Sequence, residues 1–270
     1  MPFLTKLIPE GRIKDEMRLY YYNNFRFKNV LHISHYNYKD NYCEIKFKNG
    51  VFLKFHTHPS MKMPSFLKSL VEDINHIIKG YLLNYQLRNG DIVVDAGAYI
   101  GSFALYAAKM VGDIGKIIAF EPNHFICQQL KDNIKLNNLT NIIVLEKGLW
   151  SENKILKFNN TTAEDSSFVF APDQKHLITE VEAARLDDEL PKLGISKIDF
   201  VKMDVEGAEI EVVKGCQNFL RNTNVSLAIA SYHVINGQKT SIELESLFST
   251  IGYKAVTNFF EHQTTYAFKK

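Results

Sequence analysis

Two rhythms of apolar and polar residues follow one another along this chain. In the stretch 41–58, apolar residues alternate with polar ones on both sides of Asn49-Gly50. This pattern predicts a β-hairpin with a two-residue loop, because Asn and Gly tolerate the positive φ angles of that turn. The stretch 30–38 predicts a further strand, and apolar residues at helical spacing from Ser65 predict a helix. We therefore interpret residues 1–85 as a module of one small sheet and one helix.

Beyond this module, strand-like and helical stretches alternate. The alternation predicts βαβ units, and hence an α/β domain over residues 86–270 with a largely parallel sheet covered by helices. Residues 151–190 interrupt it with short strand-like stretches and are predicted to be a β insertion. The predicted strands are 91–95, 116–122, 141–147, 154–158, 166–170, 178–186, 197–204 and 225–233, with a closing hairpin of 253–258 and 264–270, and the predicted helices are 102–110, 123–137, 208–222 and 241–252.

An almost unbroken apolar run, residues 91–112, could also be interpreted as a membrane span, since about 20 apolar residues cross a bilayer. Asp95 would then lie in the hydrocarbon, and Gly97 and Gly101 would loosen the helix around it. We prefer a buried strand that ends at Asp95, a glycine turn, and a helix from about Ser102. The opening residues also lack the apolar core of a secretory signal, so we expect no transmembrane segment and a cytoplasmic location.

Composition and charge narrow the possibilities further. The chain has 270 residues, 46% hydrophobic and 23% charged, which is typical of a globular protein. Its three cysteines are widely spaced, which favours free thiols over a zinc or redox site. Residues 1–90 carry 14 Lys+Arg and 7 Asp+Glu, a charge of +7, whereas the remainder carries 18 and 23, a charge of −5. A basic N-terminal module fits an anionic partner, although surface lysines without function are common.

The strand-to-helix turn after Asp95 has the spacing D-x-G-x-x-x-G. Gly97 and Gly101 allow a sharp turn and a close approach of ligand to backbone, and the helix that follows presents free N–H groups to a carboxylate or phosphate. The dinucleotide fingerprint G-x-G-x-x-G is absent, because the middle glycine that makes room for a pyrophosphate is missing. A nicotinamide cofactor is therefore disfavoured.

Glu121 stands at the end of the next predicted strand. An acidic residue at the carboxyl end of a strand beside a glycine turn can accept hydrogen bonds from both hydroxyls of a ribose. A ribose, no pyrophosphate and a tail that bears a carboxylate together describe S-adenosylmethionine. Asp95 would help to hold the ammonium end of that tail, directly or through water.

Four stretches resemble the FkbM-type family of S-adenosylmethionine-dependent methyltransferases, which act mostly on hydroxyl oxygens. They are VVDAGAYIGSFALYAA, AFEPN, RLDDEL and IDFVKMDVEGAEIEVVKG, within about residues 85–257. The resemblance implies a class I methyltransferase fold, whose seven-stranded sheet has an antiparallel last strand. Tyr99 departs from the family, which often has Asn there. Carried over from the family, Asp95, Gly97 and Gly101 match the cofactor loop, Glu121 matches the ribose ligand, and Asp204, Glu206 and Gly207 match the signature. With their neighbours, we expect the cofactor-binding residues to be Asp95, Gly97, Ala98, Tyr99, Gly101, Ser102, Glu121, Pro122, Asn123 and Asp204.

The signature KMDVEGAE also predicts where the chemistry lies. Asp204 follows a central strand and would point into the cleft, while Glu206 and Glu209 could instead favour a helix N-terminus by their charge. His233 ends the next strand and could face the same cleft, although a structural role for it stays open. Enzymes that methylate exocyclic amines of bases commonly carry Asn or Asp followed by two prolines and an aromatic residue after this strand. That motif is absent, so an oxygen acceptor is favoured, with Asp204, Glu206 or His233 as the candidate catalytic residues.

Several other features carry less weight. His56 and His58 share one face of a predicted strand, but without a third ligand we assign no metal site. Trp150 and Ser151 could line an adenine pocket or simply pack. Two functions stay open. The first is methyl transfer to a hydroxyl of a glycan, lipid-linked sugar or other small molecule. The second is an RNA-directed methyltransferase or RNA-binding protein that binds RNA through the basic N-terminal module, where the aromatic stretch LYYYNNFRF could stack on bases or simply pack. The oligomeric state does not follow from the sequence.

Overall fold

A computed structural model describes residues 13, 17, 20, 33–39, 42–47, 50–56, 78–159, 178–258 and 262–269. The chain divides into two compact units, Met1–His76 and Ile77–Lys270, so the division falls earlier than the predicted one after residue 85. The predicted helix from Ser65 lies outside the described residues except for its end at residues 78–81, which is helical.

The first unit contains an antiparallel sheet of three strands in the order β1-β2-β3. They are β1 (Ile33–Lys39), β2 (Tyr42–Phe47) and β3 (Phe52–His56). The three predicted strands are therefore confirmed, but the two-residue loop is wrong. Phe47 N–H donates to the Val51 carbonyl at 2.8 Å and Gly50 N–H to the Phe47 carbonyl at 2.9 Å. Three residues thus separate the paired Phe47 and Val51, and Gly50 takes the left-handed conformation, φ 82°, that such a loop requires.

The second unit is built on a sheet of seven strands in the order β14-β15-β11-β10-β4-β5-β6. Strands β6, β5, β4, β10 and β11 are parallel, and β15 runs antiparallel to both β11 and β14. This confirms the predicted α/β fold with an antiparallel last strand. The strands are β4 (Ile92–Ala96), β5 (Lys116–Phe120), β6 (Ile142–Leu145), β10 (Phe200–Met203), β11 (Ser226–Ala230), β14 (Tyr253–Asn258) and β15 (Thr264–Lys269).

Most helices follow the strands as the alternation predicts, but the helix over residues 186–192 begins inside the predicted β insertion and was not predicted. The run 91–112 is a strand and a helix, which confirms the choice against a membrane span. The helices are α1 (Ser102–Val111), α2 (His124–Leu136), α3 (Leu186–Lys192), α4 (Glu209–Gly215), α5 (Gln217–Asn222) and α6 (Thr240–Thr250). The single helix predicted over 208–222 is two helices, because Cys216 has a φ of −125° and does not continue α4. Among the described helices none has the length and apolarity to cross a bilayer.

The insertion forms a second sheet in the order β7-β9-β8, from β7 (Gly148–Leu149), β8 (Lys154–Asn159) and β9 (Ile178–Ala184). The predicted strand at 166–170 lies outside the described residues. A two-stranded ribbon, β12 (Val234–Ile235) with β13 (Gln238–Lys239), precedes α6.

Two apolar clusters, one including Val94 and Met203 and the other Val93 and Phe200, form the core. Neighbouring residues of a strand face opposite sides of a sheet, so these clusters lie on its two faces. Cys127 and Cys216 are buried free thiols, as predicted; the side chain of Cys43 lies outside the described residues.

Candidate functional site

The carboxyl ends of β5, β4 and β10 lie level with one another in the middle of the large sheet. Ala96 pairs with Phe120 on one side and with Met203 on the other, so the residues that follow these three strands emerge at one edge. The chain leaves β4 for β5 on one side and reaches β10 on the other, which makes this edge the point where ligands bind in sheets of this kind. Asp95, Glu121 and Asp204 therefore meet where the sequence suggested.

The turn after β4 is held by the neighbouring strands. The N–H groups of Gly97 and Ala98 donate to the Phe120 carbonyl at 3.0 and 2.9 Å. Gly97 has a φ of 75°, and a Cβ there would stand 1.8 Å from the Asp204 carbonyl oxygen. Gly101, with a φ of 96°, immediately precedes Ser102, the first residue of α1. The first glycine is thus required by the approach of two strand ends.

Tyr99 adopts a left-handed conformation with a φ of 52°. This conformation is uncommon for residues other than Gly and is several-fold enriched in Asn, which accords with the Asn that the resembled family often carries. The backbone N–H of Tyr99 donates to Glu121 Oε2 at 2.9 Å. The turn therefore uses the backbone of Tyr99 to hold the carboxylate that we predicted as the ribose ligand.

Glu121 is buried, and its carboxylate lies between two backbone donors. Its second oxygen accepts the Asn123 N–H at 2.9 Å. Burial raises the pKa of Glu121 to about 7, although the two N–H donors oppose the rise. Pro122 separates Glu121 from Asn123, whose side chain caps α2 by accepting the N–H groups of Phe125 and Ile126. Each carboxylate oxygen keeps a further lone pair with which a hydroxyl can bond.

Asp95 is fully buried and pairs with a lysine that sequence reasoning missed. Lys202 Nζ lies 3.0 Å from Asp95 Oδ1 and donates to the Gly97 carbonyl at 2.6 Å. Burial raises the pKa of Asp95, and the Lys202 ammonium opposes this rise. The available signal was a lysine inside the buried strand FVKM, where a charge needs a partner.

Asp204 lies at the same edge and is partly exposed, with an 18% exposed side chain. Tyr81 donates its hydroxyl hydrogen to Asp204 Oδ2 at 2.9 Å, and His262 Nε2 lies 4.0 Å from the same oxygen. Among the described residues, Asp204 Oδ1 has no hydrogen-bond partner. Neither Tyr81 nor His262 was predicted, since both come from parts of the chain far from residue 204.

His233 is clasped between two carboxylates. Its Nε2 lies 3.1 Å from Glu206 Oε2 and its Nδ1 3.0 Å from Glu209 Oε1. Burial alone would lower the pKa of His233, but the hydrogen bonds and charges of Glu206 and Glu209 raise it to about 10. The two carboxylates therefore favour the protonated imidazole at neutral pH, a form that cannot accept a further proton.

The two glutamates that flank His233, Glu206 and Glu209, come from the turn after β10 and the start of α4. Glu206 and Gly207 both have positive φ values, 50° and 95°, and Glu209 Oε1 also accepts the Gly207 N–H at 3.0 Å. Burial raises the pKa of Glu206, and its bond to His233 opposes the rise. The signature DVEGAE therefore builds a turn that is closed by its own last glutamate and by His233.

Asp204, Glu206 and His233 could also be considered as metal ligands, because one atom from each lies within 4.8 Å of the others. A histidine must be neutral to ligate a metal. His233 Nε2 is hydrogen-bonded to Glu206 and its Nδ1 lies 3.0 Å from a Glu209 oxygen, so a metal would first have to displace the Nε2 proton. We therefore interpret these three groups, in the part of the chain that the structure describes, as an ion-paired cluster.

The site as a whole suits a cationic ligand with hydroxyl donors. Glu121, Asp204 and Glu206 carry acidic groups at one edge, and Asp204 Oδ1 is a buried acceptor to which no described residue donates. These groups fit the ribose hydroxyls and the ammonium of S-adenosylmethionine. Trp150 donates its backbone N–H to Ala184, and Ser151 donates its hydroxyl to Glu211, so these two residues link the insertion to α4.

Comparison with known proteins identifies methyltransferases among the relatives of this chain. A model of the methyltransferase FkbM domain matches residues 95–262. Methyltransferase sdnD of Sordaria araneosa is 32% identical over an alignment of 160 residues, which covers 48% of this chain and 61% of that protein. Hexuronic acid methyltransferase AglP of Haloferax volcanii is 30% identical over 145 residues, 53% of this chain and 57% of that protein. The chain thus covers less than two thirds of the length of either relative.

A solved structure has the same fold. The crystal structure of an FkbM methyltransferase from Methylobacillus flagellatus aligns with a TM-score of 0.50 and 20% sequence identity, over 68% of this chain and 45% of that one. At this identity the likeness concerns the fold alone.

Proposed function

Because this chain belongs to the methyltransferase FkbM domain family, we propose that it transfers a methyl group from S-adenosylmethionine to a hydroxyl oxygen of a glycan or another uncharged small molecule. S-adenosylmethionine supplies a methyl group already activated by its bond to a positively charged sulfur. The protein then has to align the acceptor, exclude water and accept a proton.

The observation that carries the cofactor assignment is the pair of carboxylates at the ends of β5 and β10. Two backbone N–H groups hold the Glu121 carboxylate. Each carboxylate oxygen keeps a further lone pair, so the two oxygens can accept hydrogen bonds from two adjacent ribose hydroxyls. Asp204 offers its second oxygen to the ammonium of the methionine portion. Asp95 supports this arrangement indirectly. It pairs with Lys202, and Lys202 donates a hydrogen bond to the Gly97 carbonyl.

Electrostatics favour an uncharged acceptor. Glu206 and Asp204 face the cleft, while Lys202 and His233 are already paired with Asp95, Glu206 and Glu209. A carboxylate or phosphate brought to this edge would be repelled by the same charges that attract a sulfonium. The name of the Haloferax relative points to a sugar acid. We take the sugar from that comparison and assign the reacting atom to a hydroxyl rather than to the carboxylate.

The test is methyl transfer from labelled S-adenosylmethionine to three probes: p-nitrophenyl β-D-glucoside, p-nitrophenyl β-D-glucuronide and a short single-stranded RNA. We expect labelled methyl ethers, which resist mild base, on the glycosides. A base-labile methyl ester on the glucuronide, or transfer to the RNA alone, would contradict the hydroxyl assignment. Failure to bind S-adenosylhomocysteine in calorimetry would overturn the cofactor assignment itself.

A further inference from the structure

A second histidine, from the C-terminal part of the chain, lies at the same carboxylate edge. His262 lies just before β15, and its Nε2 is 4.0 Å from Asp204 Oδ2. Its side chain is 18% exposed, whereas that of His233 is 5% exposed. His262 therefore has access to the cleft, while His233 is enclosed by its two glutamates.

The ring of His262 is held in place by two tyrosines. Tyr81 packs edge to face against it with ring centroids 5.4 Å apart, and Tyr232 packs likewise at 4.9 Å. Tyr81 also donates its hydroxyl hydrogen to Asp204 Oδ2, the oxygen nearest to His262 Nε2. The carboxylate and the imidazole thus have a common support, so their mutual position is fixed by packing.

The surroundings of the two histidines favour opposite charge states. Burial and the nearby cations Lys202 and His233 lower the pKa of His262, and Asp204 raises it. Among the described residues, the other groups at the ring are Tyr81, Tyr232 and the Thr264 hydroxyl, 3.5 Å from His262 Nδ1, and none of them carries a charge at neutral pH. These surroundings favour the neutral form of His262, in which one ring nitrogen keeps a lone pair.

We propose that His262 is the general base of this methyltransferase and that Asp204 orients it and stabilises its protonated form. The proposal rests on the proposed transfer to a hydroxyl. As the acceptor oxygen forms its bond to the methyl carbon, the carbon–sulfur bond breaks with its electron pair left on sulfur. The hydroxyl proton passes to the imidazole of His262, which returns it to water after the product leaves.

The first experiment measures turnover of the methylated glycoside by His262→Gln, with His124→Gln as the matched control. His124 is largely exposed on α2 and pairs with Glu146. We expect kcat of His262→Gln to fall by about 100-fold or more, with the affinity for S-adenosylhomocysteine unchanged, and kcat of His124→Gln to stay at the wild-type value. Wild-type kcat and an unchanged pH profile in His262→Gln would overturn the proposal.

The second experiment does not depend on an acceptor. NMR titration of the imidazole resonances is carried out on the full chain saturated with S-adenosylhomocysteine. We expect His262 to titrate below the ordinary value of 6.5 and His233 to stay protonated through neutral pH. If wild type methylates no glycoside, the proposed function fails, but the titration still decides the state of His262. A His262 that is protonated at neutral pH would overturn its assignment as the base.

Discussion

Glu121 is buried, and in the proposed cofactor site its charged carboxylate is the form that best accepts two ribose hydroxyls. Burial raises its pKa to about 7 in the ligand-free protein, so at neutral pH part of the population carries a proton there. Hydroxyl donors and a cationic cofactor both favour the charged form. The pKa of Glu121 in the complex must therefore lie below its value in the free protein.

This difference sets the direction of a pH effect on cofactor binding. The free protein binds more protons than the complex near pH 7, so complex formation releases protons and affinity rises with pH until Glu121 is fully ionised. We expect the affinity for S-adenosylhomocysteine to rise through about pH 7 and then level off. Glu121→Ala should bind more weakly and lose this dependence. Calorimetry in buffers of different ionisation enthalpy measures the released proton.

The exposed Glu243, on α6, provides the matched control. Glu243→Ala should keep both the wild-type affinity and its pH dependence. Wild-type affinity in Glu121→Ala would show that the ribose lies elsewhere.

The sequence reveals some of these residues and hides others for a physical reason. Glu121, Asp204 and His233 each stand at the end of a predicted strand, and the carboxyl ends of parallel strands meet at one edge. Tyr81 and His262 reach the site from outside the strand ends, and the bond from Tyr81 to Asp204 spans 123 residues of sequence. Their roles depend on side-chain directions that only the folded chain defines. The same limit applies to His233, because its two glutamate partners favour the protonated imidazole over the neutral base.

At the level of elements, the turn between β4 and α1 depends on the approach of β10. Gly97 faces the Asp204 carbonyl so closely that no side chain fits, and its φ of 75° disfavours any L residue. The loop cannot simply move away, because the N–H groups of Gly97 and Ala98 are bonded to the end of β5. The turn is therefore fixed from both of its neighbouring strands.

A substitution separates the two demands on this glycine. Gly97→Ala adds both conformational strain and a collision with backbone, so we expect it to lower the free energy of unfolding by roughly 4 kcal/mol or more. Gly252→Ala is the matched control, because Gly252 has a similar φ of 81° and no atom near its added Cβ. Strain alone should cost about 1 to 2 kcal/mol there. Urea denaturation measures both, and equal losses would mean that the collision relaxes freely.

The periodicity of apolar residues predicts strands and helices better than it predicts the loops and breaks that connect them. Periodicity identifies β2 and β3, but their loop length depends on which residues pair, and Phe47 pairs with Val51. Apolar spacing likewise runs through α4 and α5 without a break. Trp150 explains part of the break between α4 and α5. A Cβ on Gly215 would stand 2.1 Å from the carbonyl oxygen of Trp150, so a tertiary contact rather than local helix preference selects glycine at the end of α4.

For the whole molecule, charge separates the two functional hypotheses. The formal charge of +7 lies within residues 1–90 and that of −5 in the rest of the chain, which includes the acidic edge of the candidate site. The phosphates of an RNA substrate would be attracted by the basic residues 1–90 and repelled by the acidic edge. An uncharged glycoside would respond to neither, since it offers no phosphate from which counterions could be released.

Salt concentration therefore provides a test at this scale. For methylation of p-nitrophenyl β-D-glucoside by the full chain, we expect kcat/KM to change less than about twofold between roughly 50 and 200 mM salt, because the acceptor is uncharged. Binding of single-stranded RNA, measured in parallel by fluorescence anisotropy, should be weak and should decline steeply with salt if basic residues alone hold the phosphates. Tight RNA binding together with strongly salt-dependent methylation of RNA would instead identify RNA as the acceptor. In that case the acidic edge would act on a ribose hydroxyl, and the basic residues would overcome its repulsion of the phosphates.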